Sequence, residues 1–79
     1  MDEVDILYFS NPSYDGCIVG YSHDGRAIYS YNLMVEYLMK EDDMSYDDAI
    51  DFIDYNTIRS LPYFPNGPIV MYDGDEYEI

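Results

Sequence analysis

The sequence predicts one small α+β domain, a β-hairpin followed by two short amphipathic helices and a closing strand (ββααβ), with room for an extra N-terminal strand. Three observations predict it: an Asp-Gly turn between two apolar segments, a serine-capped helical repeat of apolar residues, and a proline followed by a final apolar run. The chain has 79 residues. That length allows one domain over 1–79, in which folding buries roughly 60% of the surface exposed by the unfolded chain. The ordered core is expected over about 4–72, with an acidic tail over 73–79.

Residues Val4 to Phe9 read V-D-I-L-Y-F, compatible with a first strand that Ser10-Asn11-Pro12-Ser13 then breaks with turn chemistry. Cys17 to Tyr21 and Arg26 to Tyr31 flank Ser22-His23-Asp24-Gly25, where glycine supplies the positive φ that a hairpin turn demands. From Asn32 to Lys40, Met34, Val35, Leu38 and Met39 share one helical face, and Glu36 and Lys40 form an i, i+4 pair on the other. Ser45 opens a second helix as its N-cap, with Asp48 in the reciprocal position of a capping box. On that helix Tyr46, Ala49, Ile50 and Ile53 centre on one side and Asp47, Asp48, Asp51 and Asp54 on the other. Pro62, Pro65 and Pro68 each remove a backbone donor, which predicts an extended ordered loop after Thr57. Ile69 to Tyr72 close the fold as a strand, with Pro68 at its start.

Charge is the strongest compositional signal. Asp and Glu number 17 against 3 Lys and Arg, a formal charge of −14. Such a balance excludes direct binding to nucleic-acid backbones and to anionic membranes, and no apolar run approaches the length of a membrane span. Apolar residues make up 48% of the chain, enough to fold despite the acidity. Because 11 of them are Tyr, tyrosine has to serve both core and surface. The single Cys17 and the lack of a basic, apolar leader point to a reducing cytoplasm.

The stretch from Ile18 through Tyr72 carries V-G-Y-x-x-D-G-R-x-I-Y, then M-V-E-Y-L-M, then M-S-Y-D-D-A-I-D-F-I-D-Y-N-T-I-R-S-L-P-Y, and finally P-I-V-M-Y. In these segments the chain resembles a family of small acidic proteins of uncharacterised function encoded by bacteria and their phages. The resemblance spans about two-thirds of the chain. It implies a compact domain of viral or mobile-element origin, and a host-cell cytoplasm as its compartment, but assigns no functional residues.

The chemistry therefore rests on side chains. Asp47, Asp48, Asp51 and Asp54 place four charges along roughly 10 Å of helix, a density approaching duplex DNA at one per about 1.7 Å. A solvated helix face accounts for Asp47 and Asp48, which gain from the helix dipole in a first turn. It accounts less well for Asp54 in a last turn, for the like-charge i, i+3 and i, i+4 pairs, or for Glu41, Asp42 and Asp43 after the first helix. Tyr combines a large ring with a hydroxyl and is enriched in binding surfaces. Tyr55 falls on the acidic side of the second helix, and Tyr63 and Phe64 sit in the proline loop.

Catalytic, metal and cofactor chemistry has little support. His23 belongs to a turn, Cys17 has no base near it in sequence, and Asp73-Gly74-Asp75 lacks the loop length and terminal Glu of an EF-hand. No glycine-rich loop cradles a phosphate. No cofactor is expected, and the chain is expected not to be an enzyme.

Two functions fit these residues. The first is a nucleic-acid mimic that occupies the basic groove of a nucleic-acid-binding protein such as a CRISPR effector, a restriction nuclease or a repair enzyme, and inhibits it. Glu41, Asp42, Asp43, Asp47, Asp51 and Asp54 then stand for phosphates, and Tyr55, Tyr63 and Phe64 anchor the edge. The second is a non-enzymatic interaction or regulatory module that binds through the Tyr- and Pro-rich loop, or forms a homodimer through an exposed strand.

Overall fold

The computed structural model describes residues 6–10 and 12–73. Two strands, β1 (Ile18–Tyr21) and β2 (Ala27–Ser30), pair antiparallel around the Asp24-Gly25 turn, with an irregularity of register between Ile18 and Gly20. Gly25 has a φ of 84°, the conformation for which the Asp-Gly pair is suited. Ser22 bonds the Asp24 carboxylate through its hydroxyl and accepts from the Arg26 amide at 3.0 Å. The expected hairpin is present.

Ser30 ends β2 and begins α1 (Tyr31–Glu41) without a connecting loop. Its Oγ accepts from the Leu33 amide at 3.2 Å and donates to the Asp73 carboxylate at 2.8 Å, so the end of the described chain is fastened to the first turn of α1. A carboxylate there complements the positive end of the helix dipole. Met34, Val35 and Leu38 are buried, as the periodicity predicts, whereas Met39 lies at the exposed border of that face.

Asp42 returns its amide to Leu38 O at 3.0 Å, and Asp43, at a φ of 58°, turns the chain so that the Met44 amide also reaches Leu38 O. Ser45 then caps α2 (Tyr46–Phe52), accepting from the Asp48 amide at 3.1 Å. Among the described residues the return bond from Asp48 does not form. An aspartate side chain is one methylene shorter than the glutamate that usually makes it. Ala49 and Ile53 are buried and Ile50 packs beside them, but Tyr46 is 54% exposed, a correction to its expected place on the core face. It occupies the first position of the helix, where Met44 rather than Tyr46 packs against the core.

Two further expectations are corrected between residues 53 and 63. The second helix does not run on as α-helix to Tyr55: it widens into a π-helical turn (Ile53–Thr57), in which the Ile58 amide bonds Ile53 O. The extended proline loop is in part a 3-10 helix (Ile58–Tyr63) that includes Pro62. Proline's fixed φ lies within the 3-10 range and its missing donor removes one bond from a short element. Beyond Phe64 the chain does extend, through a turn closed by the Gly67 amide on Phe64 O at 2.8 Å. A Cβ on Gly67 would sit 3.0 Å from Phe64 O and Cβ.

Strand β3 (Ile69–Met71) pairs in parallel with β2, Ile28 opposite Ile69 and Ser30 opposite Met71, giving the sheet order β1-β2-β3. Both helices thus lie within one long crossover between parallel neighbours, the connection that parallel pairing requires.

The additional N-terminal strand is not formed over residues 6–9, and Val4 and Asp5 lie outside the described residues. The segment contributes side chains instead: Ile6 and Phe9 pack on the core, and the Phe9 amide donates to the Tyr29 hydroxyl at 3.1 Å. Tyr14, Tyr29 and Tyr31 are buried while Tyr8, Tyr21, Tyr55, Tyr63 and Tyr72 are exposed, the divided service expected of tyrosine. Phe9, Tyr14, Tyr29 and Tyr37 meet edge-on or tilted at centroid distances of 4.6 to 6.4 Å. Among the described residues no helix is long and apolar enough to cross a membrane.

Candidate functional site

The acids singled out by the sequence begin where α1 stops. Glu41 is its last residue, Asp42 its cap and Asp43 the reversal, and all three are exposed. Asp43 has a conformational reason to be there, since Asp and Asn tolerate a left-handed backbone better than other non-glycine residues. Asp47, Asp48 and Asp51 come next, on α2, and are again exposed. Asp47 and Asp51 are four residues apart, neighbours on one helical stripe.

The remaining acid, Asp54, belongs to the π-helical turn. It accepts a hydrogen bond from the Tyr31 hydroxyl at 3.3 Å and so lies against the first residue of α1. Tyr55 is 67% exposed, and the Arg59 guanidinium stands 4.8 Å from its ring centroid. Asp51, Asp54, Tyr55 and Arg59 border one shallow depression. Tyr63 is 79% exposed at the end of the 3-10 helix, and Phe64 is 53% exposed at the adjoining turn.

Five of these nine residues border depressions, and these are different ones. Glu41 borders a depression with Asp15, Glu36 and Lys40, Asp42 another with Tyr37 and Phe52, and Asp51, Asp54 and Tyr55 the third. Sequence reasoning misses Asp15, Glu36 and Arg59 as neighbours of these sites. Arg59 is detectable as the i+4 neighbour of Tyr55; Asp15 meets α1 only through the fold.

Of the three basic residues, Lys40 borders the depression of Glu36 and Glu41, and the two arginines are engaged elsewhere. Arg26 Nε donates to the Gly67 carbonyl at 2.9 Å, fastening the hairpin to the chain before β3, and Arg59 rests on a ring. The carboxylates from Glu41 to Asp51 thus face solvent along the junction and the first turns of α2.

Cys17, expected in the first hairpin strand, lies just before β1 and is buried. Burial, and then the Asp15 and Glu36 carboxylates, push its thiol up to about 11, so it is protonated at neutral pH and a poor nucleophile. Among the described residues no group of three or more His, Cys, Asp and Glu side chains is arranged to hold a metal ion. Comparison of this chain with protein-family models, with curated proteins and with solved structures gives no match.

Proposed function

We propose that this protein is a non-enzymatic nucleic-acid mimic, which binds and inhibits a basic nucleic-acid-binding enzyme of the CRISPR, restriction or repair type. The observation that carries the reading is the run of exposed carboxylates from Glu41 through Asp51, beside two arginines directed elsewhere, Arg26 to a carbonyl and Arg59 to a ring. A groove built for phosphates presents Lys and Arg, and steering by opposite charge raises association rates. A phage-encoded chain acting in the host cytoplasm fits this activity.

The test is affinity capture from a bacterial lysate at low and moderate salt, then challenge with duplex DNA. A nucleic-acid enzyme released by both is the expected outcome. Reversing Asp47 and Asp51 to Lys then weakens inhibition by about tenfold or more, equivalent to about 1.4 kcal/mol, with the fold retained. Unchanged inhibition would overturn the assignment of this face.

The exposure of Tyr63 and Phe64 favours one second reading, an interaction module binding through the loop around them. Its signature is a salt-resistant partner, indifferent to DNA and lost on Tyr63→Ala or Phe64→Ala.

A further inference from the structure

The outward face of the π-helical turn has an occupant from its own chain. Arg59 has exposed carboxylates close by in Asp51 and Asp54, yet its guanidinium lies over the Tyr55 ring, and both carboxylates border the same depression. A ring face attracts cations through its quadrupole, and a planar guanidinium also stacks on it, which an ammonium cannot do. Carboxylates at the rim add attraction for any positive charge on the ring. The arrangement has the parts of a receptor for arginine, and Arg59 is held in it by a solvent-exposed ring contact, the weak class of such interactions, and by the same exposed carboxylates.

We propose that Arg59 is a placeholder: Tyr55, bordered by Asp51 and Asp54 in one depression, is the seat for an arginine of the basic partner, and Arg59 leaves the ring when that arginine arrives. The proposal rests on the mimic reading and names one of its contacts. Charge complementarity identifies the occupant, because a surface that binds phosphates supplies arginines and lysines, and of the two only arginine gains from stacking on the ring face.

The test titrates the whole protein with nona-arginine and with nona-lysine peptides at low salt, tracking Tyr55 ring and Arg59 side-chain resonances by NMR. Nona-arginine is expected to bind more tightly by up to about two- to fivefold, the ceiling set by one exposed cation–π contact of which an ammonium keeps a part, and to shift both sets of resonances. Tyr55→Leu should erase the preference, weakening nona-arginine binding more than nona-lysine binding. Arg59→Gln should strengthen binding of nona-arginine more than of nona-lysine. Equal affinities in the wild type, a preference that survives Tyr55→Leu, or equal strengthening of both peptides by Arg59→Gln overturns the seat. Salt-sensitive binding of both peptides without preference leaves the acidic-face reading standing, and binding of neither removes both.

Discussion

The Tyr14 hydroxyl lies 3.2 Å from Oγ1 of Thr57, and this buried bond joins the loop before β1 to the π-helical turn 43 residues away. Tyr14 is 1% exposed and has a φ of 53°, left-handed for a residue with a bulky side chain. Backbone strain of about 1–3 kcal/mol is tolerated where the surroundings fix the residue. Here Phe9, Tyr29 and Tyr37 enclose the ring and Thr57 satisfies its only polar atom.

Thr57→Val keeps the shape of the side chain and removes that partner, leaving a buried hydroxyl unsatisfied at a cost of about 1–3 kcal/mol. In a domain of this size the midpoint of thermal unfolding falls by about 4–8 °C per kcal/mol. The double variant with Tyr14→Phe should lose less than the sum of the two single variants, because no orphaned polar atom is left. Urea unfolding of the four proteins measures the coupling; strict additivity would show that the bond contributes nothing.

The same core sets the response to alkali. Burial raises the Tyr14 and Tyr29 hydroxyls above 10.0, against the lowering effect of the bonds to Thr57 and Phe9, and raises the Cys17 thiol from 9.0 to about 11. Each group ionises more readily in the unfolded chain. Its contribution to stability is therefore fully present below the unfolded value and lost as pH rises through the folded one. Stability should hold from neutrality to about pH 9, then fall, first through Cys17 and next through the tyrosines. Denaturation between pH 7 and pH 11 traces the loss, and Cys17→Ala should flatten its earliest part; an unchanged slope would assign that part elsewhere.

Asp43 is both a candidate contact and a backbone device, and substitution separates the roles. Asp43→Gly suits the positive φ and removes a charge, so stability should hold or rise while partner binding weakens. Asp43→Val demands a left-handed backbone from a β-branched residue, at a cost of roughly 1–2 kcal/mol. Equal stability of the two variants would mean that the α1–α2 junction reshapes itself without Asp43.

Much of this architecture was legible because local chemistry and tertiary packing agree. Asp24-Gly25 has one good turn geometry, Ser45 has a helix to cap, and Met34, Val35 and Leu38 have one face on which to meet. Legibility stopped where long-range packing decides. The spacing of Ala49, Ile50 and Ile53 continues smoothly past Phe52, and nothing local marks the widening to a π-helical turn that aims Asp54 at Tyr31. Pro62 speaks against an α-helix without excluding a 3-10 turn. Tyr14 lies among turn residues, and its place in the core depends on partners distant in sequence. At the candidate site, composition and spacing gave the acids and the exposed rings, but not that Glu41, Asp42 and the group of Asp51, Asp54 and Tyr55 border different depressions, nor the contact of Arg59 with Tyr55.

The exposed acids also make a prediction about the fold that does not depend on any partner. A chain of charge −14 repels itself more strongly when compact than when unfolded. The repulsion is concentrated here, because Glu41, Asp42 and Asp43 are succeeded within a few residues by Asp47, Asp48 and Asp51, with all six exposed. Screening shortens from about 30 Å at 0.01 M salt to about 8 Å at 0.15 M, so the unfolding midpoint should rise over that interval. Asp47→Lys with Asp51→Lys, which reverses two of these charges, should raise the low-salt midpoint and reduce its salt dependence. A scan of both proteins across the two salt concentrations decides the matter. A wild-type midpoint that does not move would mean that the carboxylates are spaced widely enough to leave the folded state unstrained by their charge, and the phosphate-like density assigned to this face would fall with it.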